Sequence, residues 1–230
     1  MTATASLRVL IVGNGRMGRL VASLAAEHGL QVAGVVDRAR AARPADWPEA
    51  DVAIDFTTAE AVPINAIRLA ERKIDLVIGT TGWQASEAEV RRAAAQHGIG
   101  VVAAPNFALG VNLFLALAER AGQLMASRPE FGAWVYEAHH AAKRDAPSGT
   151  ALALVDALAR GGLRTRIDVA STRAGSIPGT HTIGFDAAAE TITLTHTTRD
   201  RSAFARGALE AARWVHGRTG WFTMRDVLGW

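Results

Sequence analysis

The chain has 230 residues, a formal net charge of +3 and no cysteine. That length buries a substantial core and suits one large or two small domains, and the missing thiols exclude disulfides, Cys-ligated zinc, iron–sulfur clusters and a cysteine nucleophile. The pI of about 10.1 reflects a small positive excess with one Tyr and two Lys left to titrate in alkali, and scattered Arg without a basic run argues against a nucleic-acid partner.

Met1 to Ser6 has no basic leader region, and the apolar run Leu7–Val12 meets Gly13 as a strand does rather than as a signal peptide. No segment approaches the ~20 apolar residues that span a bilayer. The expectation is a cytoplasmic protein. Helical spacing over 17–28 (Met17, Leu20, Val21, Leu24) follows the first strand, then a second apolar run over 32–36 ends at Asp37. Residues 39–45 read as a loop or short helix. Apolar runs at 52–56, 76–78 and 99–103 alternate with helices near 60–71 and 86–96. Ser86 and Glu89 have the spacing of a capping box. Strands apolar on both faces, separated by helices, predict a parallel sheet covered on two sides.

After Phe107 the rhythm changes. Helices are predicted at 113–124 and 151–158, the latter ended by Gly161 and Gly162, with a strand over 134–136 between them. Strands at 167–172, 181–185 and Thr191–Thr197 then follow without long helices. In Thr191–Thr197 the residues Ile192, Leu194 and His196 alternate strictly with threonines, the period of an antiparallel sheet with two different faces. A helix over 204–215 closes the pattern. The fold class is therefore α/β: a parallel-sheet nucleotide-binding lobe, plus a smaller α+β lobe with an open mixed or antiparallel sheet. The boundary lies near Phe107.

Gly13-Asn14-Gly15-Arg16-Met17-Gly18 fits G-x-G-x-x-G between a strand and a helix. The glycines permit a tight turn and close approach of a pyrophosphate, and the helix N-terminus supplies amide donors. Asp37 stands 19 residues after Gly18, near the spacing of the carboxylate that accepts from the ribose hydroxyls of NAD. Arg38 beside it could pair with the 2′-phosphate of NADP. The expectation is dual cofactor use, NADH or NADPH, with a lean toward NADH.

The densest polar stretch is E-A-H-H-A-A-K-R-D-A-P-S-G-T, residues 137–150. Pro147, Ser148 and Thr150 suit a helix start, and Gly149 lets backbone amides approach an anion. His139, His140 and Lys143 lie just upstream. Together they can hold a negatively charged small molecule and pass it a proton. Zinc is not expected, because adjacent His139 and His140 point apart and no third ligand stands at metal spacing. A Ser148 hydrolase lacks the G-x-S-x-G motif.

The stretch 137–151 resembles the signature of the 4-hydroxy-tetrahydrodipicolinate (dihydrodipicolinate) reductase family. Support comes in order along the chain from Gly79-Thr80-Thr81-Gly82, Ala104-Pro105-Asn106-Phe107, Arg173-Ala174-Gly175, Gly179-Thr180-His181 and Met224-Arg225-Asp226-Val227-Leu228. The resemblance implies NAD(P)H-dependent reduction of a cyclic dicarboxylate imine in the diaminopimelate route to lysine, with loss of water and hydride delivery to C4. It implies a Rossmann-like domain over 1–107, completed by 202–230, and a substrate-binding and oligomerisation domain over 108–201 that builds a homotetramer. It assigns proton handling to His139 and Lys143, and substrate binding to His140, Ser148, Gly149, Thr150 and Thr81. The nicotinamide site would be lined by Gly79, Thr80, Thr81, Ala104, Pro105, Asn106 and Phe107, with Arg201 near the cofactor. Many family members have one more residue in the glycine loop, and longer connections after Asp37 and between Leu163 and His181. Two readings compete with this one. An amino-acid dehydrogenase of similar plan would not need the 137–151 stretch, and a dinucleotide-binding sensor would have lost its proton-transfer residues.

Overall fold

The computed structural model describes residues 6–230. The expectation about a leader region falls almost entirely on residues 1–5, outside that range. In chain order the elements are β1 (Leu7–Val12), α1 (Arg16–Leu24), β2 (Leu30–Val36), α2 (Arg38–Ala41), β3 (Val52–Asp55), α3 (Ala61–Glu71), β4 (Asp75–Ile78), α4 (Glu87–His97), β5 (Gly100–Ala103), α5 (Leu109–Met125), β6 (Gly132–His139), α6 (Gly149–Arg160), β7 (Ile167–Arg173), β8 (Thr180–Asp186), β9 (Thr191–Thr197), α7 (Ser202–Val215), β10 (Gly220–Phe222) and α8 (Met224–Leu228). They form two compact units. One takes the chain up to Ala108 and resumes at Ser202–Trp230; the other is Leu109–Arg201.

The first unit is a six-stranded sheet in the order β10-β5-β4-β3-β1-β2, with every pairing parallel. Its strands read as unbroken apolar runs because both faces are covered: Val9, Leu10, Ile11, Ile54 and Val77 are fully buried. The chain leaves β1 toward β2 on one side and returns to β3 on the other, so the connections after β1 and β3 diverge. A parallel sheet opens its ligand crevice at such a switch point, beyond the carboxyl ends of the strands. The helix after the second unit, α7, returns to this sheet with a buried stripe of Ala205, Ala208, Leu209, Ala212 and Val215. Asp75 fastens this return. Its Oδ1 accepts from the Gly100 amide (2.8 Å) and its Oδ2 from the Gly217 amide (2.9 Å).

The second unit is a four-stranded mixed sheet, β7-β6-β8-β9, with β6 and β7 parallel and the other pairs antiparallel. On one face Val135, Ile183, Phe185 and Leu194 pack with Phe114, Leu154 and Leu158 of α5 and α6. On the other, threonine hydroxyls pair across strands, Thr180 with Thr197 (3.1 Å) and Thr182 with Thr195 (2.9 Å). The strict alternation in β9 is this division of faces.

Several local expectations change. The predicted helix over 17–28 stops at Leu24 and passes into a 3-10 turn, Ala26–His28, closed by Gly29 at φ 68°. The 39–45 segment becomes α2, capped by Asp37, and a second 3-10 turn, Pro44–Asp46. Ser86 makes no side-chain cap. It ends a 3-10 turn at φ −101°, ψ 4°, away from the extended conformation a cap requires. The capping box forms instead at Thr223 and Asp226. Strand β10 has three residues, too few for any period to declare it. Strand β6 runs three residues beyond its predicted end, because Glu137 and His139 continue its inward-facing positions as buried polar groups. Among the described residues no helix is long and apolar enough to cross a membrane.

Replacing Asp75 by Ala leaves the buried Gly100 amide unpaired, and urea denaturation is expected to show a loss of about 1–3 kcal/mol. Asp75→Asn keeps one acceptor and should lose less. An unchanged midpoint in Asp75→Ala contradicts the role given to this carboxylate.

Candidate active site

The glycine loop is built by close contacts. Gly13 sits at φ +104°, where a Cβ would stand 2.3 Å from the Phe56 carbonyl oxygen; a Cβ on Gly18 would stand 1.8 Å from the Gly13 oxygen. Those two glycines let the first helix start directly against the strand ends. Gly15, the N-cap of α1, has open space where its Cβ would be, which suits a phosphate approaching the backbone. Gly13, Asn14, Gly15, Asp37 and Arg38 line one cavity of about 520 Å³ together with Phe56, Thr57 and Thr58. Arg16, Met17 and Gly18 occupy the first turn of α1 outside this lining; Arg16 is exposed and Gly18 buried. Asp37 caps α2 through Oδ1, which accepts from the Arg40 amide at 2.9 Å.

Phe56, Thr57 and Thr58 were not singled out from sequence, nor was the group that holds them. Asp55 ends β3 as a buried carboxylate. It accepts from the Thr57 hydroxyl (2.6 Å) and amide (3.0 Å), the Asn65 amide group (2.9 Å) and the Thr80 hydroxyl (3.1 Å). Burial pushes the Asp55 carboxyl up, and these donors pull it back. Asp55 thereby ties the loop after β3 to Gly79-Thr80-Thr81 after β4. Gly79 lies under the Phe56 ring, where a Cβ would be 2.1 Å away. Phe56 in turn meets Phe107 edge-on, centroids 6.4 Å apart. Phe107 is buried, Ala104 half-buried, and Pro105 and Thr81 exposed. Asn106 accepts from the Ala108 amide at 2.9 Å.

The second constellation gathers where β6 ends and α6 begins. Glu137 is completely buried. Its Oε1 accepts from Arg173 Nη2 (2.6 Å) and the Ser148 amide (3.2 Å); its Oε2 accepts from Arg173 Nη1 (2.9 Å) and meets His139 Nδ1. Burial pushes the Glu137 carboxyl up, but the Arg173 guanidinium, with Ser171, His139 and the Ser148 amide, outweighs it and holds the group at about 2. The Ser148 hydroxyl caps α6 by accepting from the Ala151 amide (3.2 Å) and bonds His181 Nε2 (3.0 Å). The His139 and His181 rings meet edge-to-face at 5.0 Å. Burial, with His139 adding to it, depresses His181 to about 4. Burial also lowers His139; Glu137 opposes this, and Lys143 and Arg173 reinforce it. The net effect holds the His139 ring below the ordinary imidazole value near 6.5.

Lys143 Nζ donates to both oxygens of Asp145, at 2.8 and 2.9 Å, which lowers the Asp145 carboxyl. The Gly149 amide donates to the same carboxylate. His140 is half-buried and its carbonyl accepts from the Lys143 amide (3.0 Å). Gly149 and Thr150 form the first turn of α6. Arg201 is exposed in the turn leading into α7. So His139, Lys143, Ser148, Gly149 and Thr150 do gather. Glu137, Arg173 and His181 join them, each from within one of the motifs that carry the family resemblance. Glu137, His139 and His181 bring ligand-type atoms within 4.8 Å of one another, but the carboxylate oxygens are committed to Arg173 and Ser148, which makes the cluster a charge network.

A family model described as "Dihydrodipicolinate reductase, N-terminus" matches residues 7–107, and one described as "Dihydrodipicolinate reductase, C-terminus" matches residues 110–228. The chain belongs to the dihydrodipicolinate reductase family. The 4-hydroxy-tetrahydrodipicolinate reductase of Acidiphilium cryptum (strain JF-5) is 44% identical, with 98% of each chain covered. That of Stenotrophomonas maltophilia (strain R551-3) is also 44% identical, over 96% of this chain and 98% of the relative. The dipicolinate-bound dihydrodipicolinate reductase of Paenisporosarcina sp. TG-14 shares the fold, with a TM-score of 0.77 at 22% identity, covering 94% of this chain and 97% of that one. Membership in this family agrees with the order of the motifs, the parallel sheet and the mixed sheet.

A neutral buried His181 makes stability acid-sensitive. Its native value of about 4 lies below that of an unfolded imidazole. The unfolded chain therefore binds the extra proton, and stability falls as pH drops from about 6.5 to 4. Thermal melts of the wild type are expected to show that decline, and His181→Asn to flatten it. An equally steep decline in His181→Asn contradicts the assignment.

Proposed function

We propose that the protein is an NAD(P)H-dependent reductase of 4-hydroxy-tetrahydrodipicolinate, acting in the diaminopimelate route to lysine. The observation that carries this reading is the convergence of His139 and the Ser148-capped start of α6 on the buried Glu137 carboxylate, with Lys143 close by in sequence and paired to Asp145. It occurs in a chain whose other unit presents a glycine-loop cavity at a switch point. Relatives bearing this enzyme's name support it.

In this reading the cavity holds the adenosine and phosphate half of the cofactor. Gly13 to Gly18 approach the pyrophosphate, and Asp37 accepts from the ribose hydroxyls. Arg38 stands by for a 2′-phosphate, so both NADH and NADPH serve, with NADH preferred. Gly79 to Thr81 and Ala104 to Phe107 line the nicotinamide site, and Arg201 approaches the cofactor. The bound cofactor supplies hydride to C4. Overall the C4–O bond breaks, a C4–H bond forms, one proton is consumed, and the hydroxyl leaves as water.

The second unit holds the dicarboxylate. Amides of Ser148, Gly149 and Thr150 lie at the N-terminus of a 12-residue helix, where backbone donors and the helix dipole favour carboxylate. His140, Lys143 and Thr81 complete the binding set. The substrate carboxylate competes with Asp145 for Lys143. A dianion arriving beside His139 favours its charged form and counters the burial that keeps the ring neutral. His139 and Lys143 then handle the protons that accompany water loss and hydride delivery. We further propose a metal-independent cytoplasmic homotetramer assembled through the second unit, with no nucleic-acid partner.

Oxidation of NADH and NADPH with freshly generated substrate is the test. His139→Gln and Lys143→Ala are each expected to lower kcat by about 100-fold or more, with circular dichroism unchanged. Near-normal turnover in both contradicts the reading, and a strong NADPH preference contradicts the lean to NADH.

A further inference from the structure

Glu137 and His139 are two residues apart on β6 and face the same way. Across the sheet, Arg173 of β7 is the register partner of His139, and His181 of β8 that of Glu137. Every neighbour that reaches the Glu137 carboxylate is a donor: both terminal nitrogens of Arg173, the Ser171 hydroxyl, the Ser148 amide and His139 Nδ1. An ionised carboxylate only accepts, so the Nδ1 that meets it carries a proton. Nε2 is then the ring atom free to give or take one. It faces Gly179, at φ +143°, where a Cβ would stand 3.2 Å away. A side chain at position 179 would crowd this nitrogen.

From this geometry we infer that Glu137 and Arg173 are positioning residues for His139: Glu137 fixes Nδ1–H inward and Nε2 outward, and Arg173 restrains the pull of that carboxylate on the ring's proton. The inference rests on the proposed reaction for its catalytic meaning. Its physical basis is a pair of opposing charges. A lone buried carboxylate against an imidazole would keep the ring charged and reluctant to release its proton. Bidentate pairing with a guanidinium opposes that pull while leaving the hydrogen bond in place. The other charged or titratable groups around the ring are Lys143, Asp145 and His181, with His196 beyond as the cross-strand partner of His181. None of them bonds the His139 ring as Glu137 does. Burial depresses His139 and Glu137 opposes it, in keeping with this balance.

The test is the NMR titration of the His139 ring, assigned by loss of its signal in His139→Gln, alongside the pH profile of kcat. Glu137→Gln is expected to move the midpoint down, and Arg173→Gln to move it up, each by about one pH unit. Glu137→Asp and Arg173→Lys, which keep the charges, should stay nearer the wild type. The kcat limb should follow the midpoint, with KM changing less than kcat. Midpoints that move the same way in both charge-removing variants, or do not move in folded protein, overturn the inference. If Glu137→Gln fails to fold, Arg173→Gln decides alone, and a downward or absent displacement overturns it. The titration needs no substrate. Failure of wild-type turnover would therefore refute the proposed reaction while leaving the order of midpoints to stand or fall by itself.

Discussion

A carboxylate in an apolar interior must be paired or give up its charge. Glu137 meets that demand with an Arg173 fork and a backbone amide, and much of the second unit follows from it. The requirement fixes Arg173 on the neighbouring strand, seats the first turn of α6 by its Ser148 amide, and extends β6 beyond its apolar part. It also decides which nitrogen of His139 faces outward. The row behind it is apolar: Val135 and Ile183, then Ala133 and Phe185, packed under α5 and α6. The core thus ends on a line of polar residues that bond one another, and that line is where the proposed chemistry sits.

The first unit repeats the device with a different chemistry. Asp55, also buried at the end of a strand, gathers donors from Thr57, Asn65 and Thr80 without a cation. It orders two loops at the rim of the sheet, and those loops present backbone and hydroxyl groups rather than charge. A dinucleotide needs close backbone approach and dipoles. A small dicarboxylate needs cations and a helix start. The two buried carboxylates match those needs, one ordering a neutral rim and the other a charged one.

Much of this was legible in the residues. Unbroken apolar runs give away strands covered on both faces, and strict alternation in Thr191–Thr197 gives away a sheet with one open face. The glycine loop, Asp37 and the 137–150 stretch are local in sequence, so their spacing could be read. What escaped was non-local. Arg173 lies 36 residues from Glu137, and His181 lies 33 from Ser148; only strand register brings them together. The short β10 escaped for the same reason, since it exists by pairing with β5. The Ser86 capping box was misread because its spacing was right and its backbone angles were not. The His139 value escaped because burial, which lowers it, is a property of the folded sheet.

Glu137 dictates, on this inference, which nitrogen of the His139 ring holds the proton. Nitrogen-15 NMR of the neutral His139 ring tests it most directly, because the two tautomers give distinct shift patterns for Nδ1 and Nε2. A proton on Nδ1 and a bare Nε2 are expected. A proton on Nε2 with Nδ1 bare would contradict it.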